Sequence, residues 1–177
     1  MPPPESVEPK SIRLLILDVD GVMTDGGVWL DHKGREIKRF NAQDGMGIQL
    51  WHEAGGKTAI ITGRSSGAVT QRASELGITC VHQGVKDKLS VFHNILGEFG
   101  ITAVESTMLG DDLADLPVMT SSGYPMAVAN ATPEVLYEAF YITEAPGGHG
   151  AVREAIEHLL SARGEWDKVI NQFRLTP

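Results

Sequence analysis

Short apolar runs alternate along this chain with helical stretches, and that order dictates the architecture. "SIRLLIL", "KTAIIT", "ITCVHQ", "ESTMLG", "YPMAVA" and "FYIT" read as strands. Between them lie helical segments. "DGMGIQLWHEAG" carries Ile48, Leu50 and Trp51 and stops at Gly55-Gly56, and "SSGAVTQRASELG" has a serine N-cap and a glycine stop. "DKLSVFHNILGEFG", the short "DLADLPVMTSSG", "TPEVLYEA" and the closing "GAVREAIEHLLSARG" complete the set. Strands joined through helices pair in parallel, and a parallel sheet must be covered on both faces. The expected fold is therefore α/β: a Rossmann-like parallel sheet with helices on both faces and right-handed crossovers. One segment departs from the alternation. "GGVWLD" and "REIKRF", joined by "HKG", read as a β-hairpin flap after the first strand.

A length of 177 residues suits one domain, expected over 11–164. Four prolines in the first nine residues exclude a helix there, so 1–10 reads as a disordered lead-in. The tail over 165–177 fits either a short helix or an ordered arm. No apolar run approaches the roughly 20 residues that span a bilayer. The N-terminus lacks a basic stretch leading into an apolar one, so no secretory signal and no membrane partner are expected. The single cysteine, Cys80, excludes an intrachain disulfide and fits a reducing, cytoplasmic setting. Its apolar neighbours mark it as a buried structural thiol. A net charge of −8 argues against a nucleic-acid partner. It leaves room for a small anionic ligand at a site made locally positive by a cation and one or two Lys or Arg.

The polar residues just after the strands are the candidates for chemistry. "LLILDVDGVMTDG" runs an apolar strand into Asp18, Asp20 and Asp25. Thr62, Gly63 and Arg64 come after the next strand in "IITGR", Lys86 and Lys88 after the next in "GVKDKL", and Asp111, Asp112 and Asp115 after the next in "MLGDDLADLP". In a parallel sheet, ligands bind outside the carboxyl ends of the strands, so all four groups fall along one edge. Clustered carboxylates are costly unless a cation or proton offsets them. Hard oxygen donors from Asp18, Asp20 and Asp111 suit Mg²⁺. A carboxylate beside such a cation can attack phosphorus, and a second one two residues on can protonate the leaving oxygen and then activate water. Thr62 and Lys88 could hold phosphoryl oxygens. Each group alone has a plainer reading: a DxD near glycine as a turn, "GDDLADLP" as a helix N-terminus, Thr62 as a cap. The four together, in order and each after a strand, point to a site.

"DVDGVMTDG", "ITGR", "DKL" and "GDDLADLP" resemble, in order, the motifs of the haloacid dehalogenase (HAD) phosphohydrolase superfamily. From about Ile12 to Gly164 the chain is further similar to its sugar-acid phosphatases, those acting on 3-deoxy-D-manno-octulosonate 8-phosphate (KDO 8-phosphate). The segments "DGMGIQLWHEAGGKTAIITGRSS", "GDDLADLPVM" and "GGHGAVRE" carry that likeness. The resemblance implies Asp18 as nucleophile and Asp20 as general acid/base. It implies Thr62 and Lys88 as phosphate ligands, Lys88 being preferred over Lys86. Asp111 would bind Mg²⁺ with Asp18 and the main-chain carbonyl of Asp20, and Asp115 would orient Lys88. His149 stands where family members often carry Arg. In the resembling phosphatases of nine-carbon substrates, such as KDN 9-phosphate or sialic acid 9-phosphate, Glu follows the "TG"; Arg64 stands there in this chain and could pair with a substrate carboxylate, which favours the eight-carbon acid.

Neither the stretch before Thr62 nor that before Lys88 has room for a cap domain, so the site would be open. The resemblance implies a lid supplied by neighbouring subunits in a homotetramer with paired hairpins. Val28, Trp29 and Leu30 fit such an interface, and the glycines of "APGGHG" suggest a mobile loop reaching into a neighbour. Two other readings fit less well. A non-catalytic assembly domain, as in relatives fused to cytidylyltransferases, does not need the full carboxylate and lysine set. A phosphomutase needs a cap.

Overall fold

The computed structural model describes residues 8–175. Its strands are β1 (Leu14–Leu17), β2 (Trp29–Leu30), β3 (Glu36–Ile37), β4 (Lys57–Ile61), β5 (Cys80–His82), β6 (Ser106–Gly110), β7 (Met126–Ala127) and β8 (Tyr141–Ile142). The helices are α1 (Ala42–Glu53), α2 (Gly67–Glu75), α3 (Lys88–Phe99), α4 (Leu116–Met119), α5 (Pro133–Glu138), α6 (Ala151–Ala162) and α7 (Trp166–Leu175). Six strands form one sheet in the order β5-β4-β1-β6-β7-β8, with every pairing parallel.

Burial explains the centre of this order. β1 is apolar and fully buried at every position, so it can be flanked on both edges and covered on both faces. The chain runs from β1 outward through β4 to β5, then returns to β1's other edge at β6. The order of strands reverses there, and such a switch point opens a crevice beyond the strand ends. Leu17, the last residue of β1, is level with Ile60 on one side and Leu109 on the other. The chain segments just beyond these three residues therefore meet in the crevice. Helices cover both faces; α1 packs with α6, and α3 with α4.

The hairpin β2–β3 is a separate antiparallel pair, with Trp29 opposite Ile37 and Leu30 opposite Glu36. Its outer residues are bare to solvent: Val28, Trp29, Leu30 and Ile37 are 56–64% exposed.

At the termini, the lead-in expected over 1–10 lies outside the described residues as far as residue 7. Pro9–Ser11 forms a 3-10 turn, closed by the Ser11 hydroxyl donating to the Glu8 carbonyl at 2.8 Å. The tail that the sequence left open is helix α7, with Thr176 and Pro177 outside the described residues. Trp166 lies under the Arg153 guanidinium, 5.0 Å from its ring centre, and packs with Val169 on the core. Among the described residues no helix is long and apolar enough to cross a membrane.

Candidate active site

Three strand ends deliver the centre of the site. Asp18 comes directly after β1, Asp111 after β6, and Thr62 after β4, its amide donating to the His82 carbonyl of β5 at 3.0 Å. Lys88 opens α3. Its ammonium lies 2.7 Å from Asp115 Oδ1 and 3.1 Å from Asp18 Oδ1. Asp18, Thr62, Lys88 and Asp115 are all buried. One carboxylate oxygen from each of Asp18, Asp111 and Asp115 falls within 4.8 Å of the others.

Asp115 is wholly buried and acts as a hub. One oxygen accepts from Lys88, and the other accepts from the amides of Asp111 at 2.9 Å and Asp112 at 3.4 Å. Asp112 caps the 3-10 turn Leu113–Asp115, its side chain accepting from the Leu113 amide at 2.7 Å. The "GDDLADLP" segment is therefore a helix start, as its plain reading held, and also a donor of site carboxylates.

Electrostatics set this cluster apart. Burial, then Asp115, pushes the Asp18 carboxyl up to about 6. Burial, then Asp115, Asp18 and Asp112, pushes Asp111 up to about 8. Burial alone would lower Lys88, but Asp18 and Asp115 hold it above its ordinary value. A single ammonium is too little for three carboxylates, and the buried Oδ1 of Asp111 accepts no hydrogen bond among the described residues. An orphaned hard oxygen beside like charges fits a divalent cation.

The loop over these groups requires glycine. Gly21 has φ of +93°, and a Cβ there would sit 2.0 Å from Asp111 Oδ2. Gly147 and Gly148 press on the same loop from above. The Gly148 amide donates to the Val22 carbonyl at 2.9 Å, and a Cβ on Gly147 would sit 1.7 Å from the Gly21 carbonyl oxygen.

A model of the haloacid dehalogenase-like hydrolase family matches residues 80–156. The chain is 44% identical over 163 residues to the 3-deoxy-D-manno-octulosonate 8-phosphate phosphatase KdsC of Escherichia coli (strain K12), covering 92% of this chain and 87% of that protein. The chain belongs to the haloacid dehalogenase-like hydrolase family. Two solved structures of such hydrolases superpose closely. The crystal structure of 3-deoxy-D-manno-octulosonate 8-phosphate phosphatase from Yersinia pestis has a TM-score of 0.89 at 42% identity, covering 90% of this chain and 86% of that one. The enzyme from Moraxella catarrhalis, in complex with magnesium ion, phosphate ion and KDO, has a TM-score of 0.91 at 40% identity, covering 94% and 95%. As a member of this hydrolase family, the chain is a phosphoric monoester hydrolase.

Within that hydrolase frame the remaining candidates sort themselves. Lys86 is exposed, which leaves Lys88 as the lysine of the site. Asp20 is half-buried at the rim, Gly63 is exposed, and Arg64 reaches back over the opening. Asp25 faces solvent and caps its own turn through the Gly27 amide at 2.9 Å, so it is not part of the cluster. Burial pushes the Cys80 thiol up to about 11, consistent with a structural rather than a reactive role. The glycines of "APGGHG" do not make a free loop. Gly147 and Gly148 are buried against the chain's own Gly21–Asp25 segment, so both serve close approach within the chain. His149 Nε2 lies 3.0 Å from Arg39 Nη2, so the guanidinium beside this loop belongs to Arg39.

Two site residues escaped the sequence reading. Glu36 and Lys38, in the hairpin's second arm, turn into the opening. The Lys38 ammonium lies 2.5 Å from Asp20 Oδ1 and 3.0 Å from Glu36 Oε2, while Glu36 Oε1 accepts from Arg64 Nε at 2.8 Å. The signal was their i, i+2 spacing, which puts both on one face of a strand.

Proposed function

We propose that this chain is a Mg²⁺-dependent phosphatase that hydrolyses KDO 8-phosphate to KDO and phosphate through an aspartyl-phosphate intermediate. The observation that carries the reading is the buried Asp18–Lys88–Asp115 array beside Asp111, at the switch point of a sheet shared with phosphatases of that substrate. Asp18, Asp111 and the carbonyl of Asp20 would hold Mg²⁺, which supplies charge neutralisation between carboxylate and phosphate.

Asp18 attacks phosphorus, and the ester P–O bond breaks as Asp20 gives its proton to the departing sugar oxygen. Asp20, now a carboxylate, takes a proton from water. That water attacks phosphorus, and the Asp18 carboxylate and free phosphate are restored. Lys88 and Thr62 hold the phosphoryl oxygens. Asp115 keeps Lys88 charged and aimed, and Asp112 fixes the turn that carries Asp115. Gly63 and Arg64 line the way in, with Arg64 able to pair with the sugar-acid carboxylate.

The chain works as a homotetramer in this reading. Among the described residues no cap covers the opening, and the bare Val28, Trp29, Leu30 and Ile37 of the hairpin suit pairing between subunits. The single cysteine suits a cytoplasmic setting. The test is phosphate release with Mg²⁺ from a panel of eight- and nine-carbon sugar-acid phosphates. Preference for KDO 8-phosphate, lost in Asp18→Asn, is expected. Equal or better turnover of a nine-carbon ester would move the assignment to that substrate.

A further inference from the structure

The hairpin does more than border the opening, because Glu36 and Lys38 form a chain of alternating charge ending on Asp20. From inside to outside it runs Asp20, Lys38, Glu36, Arg64. The Lys38 side chain is 4% exposed, although it belongs to an element that otherwise projects into solvent. Burying a lysine is costly, and two carboxylates offset that cost here. Burial alone would depress its ammonium, yet Asp20 and Glu36 hold it above its ordinary value. Glu36 divides its two oxygens, Oε2 facing Lys38 and Oε1 facing Arg64.

We infer that Lys38 is a positioning residue for the acid/base step: it fixes the Asp20 carboxyl by its Oδ1 and leaves Oδ2 to carry the proton. Asp20 sits in the short Val19–Met23 turn, at a point where the backbone is non-helical (φ −75°, ψ 114°), so helix geometry does not fix its side chain. A carboxyl free to rotate would spend little time facing the leaving oxygen, and misplacement at this scale costs rate. Lys38 removes that freedom, and Glu36 holds Lys38. The inference rests on Asp20 being the acid/base, as proposed above.

The experiment compares an alkyl phosphate with p-nitrophenyl phosphate in Mg²⁺, reading kcat/KM, which reports the steps up to ester cleavage. An alkoxide must be protonated as it leaves; p-nitrophenolate leaves without help. Lys38→Met is expected to lower kcat/KM on the alkyl ester by about 100-fold and on the aryl ester by less than about tenfold. Lys38→Arg, which keeps a cation in reach, is expected to restore most of the alkyl rate. Glu36→Gln, a milder change, is expected to show the same skew and serves if Lys38→Met does not fold. Equal losses on both esters, or no loss, in the folded variants would overturn the inference while leaving the phosphatase reading intact. KDO 8-phosphate serves as the alkyl ester, and a parent that releases no phosphate from it overturns the phosphatase reading and this inference with it.

Discussion

Replacing Asp18 by Asn should abolish turnover and stabilise the metal-free protein. The Asp18 carboxyl is buried and held at about 6 against an ordinary 3.8. Because the folded value lies above the unfolded one, the favourable contribution of the protonated form is complete below about pH 4. It is lost as pH rises through about 6. Above that, keeping the ionised group folded costs about 3 kcal/mol, at roughly 1.4 kcal/mol for each pH unit between the two values. Asparagine removes the charge at nearly constant shape and still offers Lys88 a carbonyl oxygen. That cost already includes the opposing attraction of Lys88, 3.1 Å away. A gain of about 3 kcal/mol follows, or roughly 6–12 °C in Tm for a chain of this size. Thermal unfolding in chelator should show this gap at pH 7.5 and a gap about half as large at pH 5, where the parent is mostly protonated. Mg²⁺ at about 100 times its Kd should then raise the parent by about 2.7 kcal/mol and the variant by much less. A variant less stable than the parent at pH 7.5, or a gap independent of pH, would refute the reasoning.

The same geometry carries three further expected outcomes. Chelator should stop phosphate release and added Mg²⁺ restore it, while Ca²⁺ should inhibit because its larger, looser coordination misplaces Asp18; full turnover in chelator would remove the metal from the reaction. Trp29→Glu should dissociate the assembly, read by light scattering, and lower phosphate release if sites are completed between subunits; a parent that is monomeric and fully active at micromolar concentration would contradict this. Asp44→Ala should lower stability by about 1–3 kcal/mol with little change in KM, since the buried Asp44 carboxylate accepts from the Arg153 amide at 2.9 Å and caps α6 from a distance; an unchanged Tm would show that the cap contributes nothing.

The sheet and the central cluster were legible because both arise from local pattern. An apolar run that ends in Asp18 and Asp20 states where a strand stops, and parallel topology then gathers the residues after every other strand. Lys88 was separated from Lys86 only by resemblance; in three dimensions burial separates them, since Lys88 opens α3 facing inward. What the sequence concealed depends on contacts between distant segments. Glu36 and Lys38 look like solvated charges on a hairpin until Asp20 and Arg64 are placed beside them. Asp44 looks like a first-turn acid of α1, and only the docking of α6 shows which helix it caps. The glycines at 147 and 148 looked like freedom because glycine permits both mobility and close approach, and pattern alone does not tell them apart.

The strand order also bears on how the chain acquires its activity during synthesis. β1 is made first, yet it gains its second neighbour only when β6 emerges, some ninety residues later in the chain. The loop carrying Asp18 and Asp20 is clamped later still, when Gly147 and Gly148 close over it and α6 docks on α1. A nascent chain therefore holds Asp18 at an open sheet edge until β6 has left the ribosome. Such late, long-range closure is slow and leaves β1 exposed to wrong pairings meanwhile. A chain halted before residue 147 would have most of the sheet and no settled place for Asp18, so an early stop would leave an adhesive fragment, not a weak enzyme.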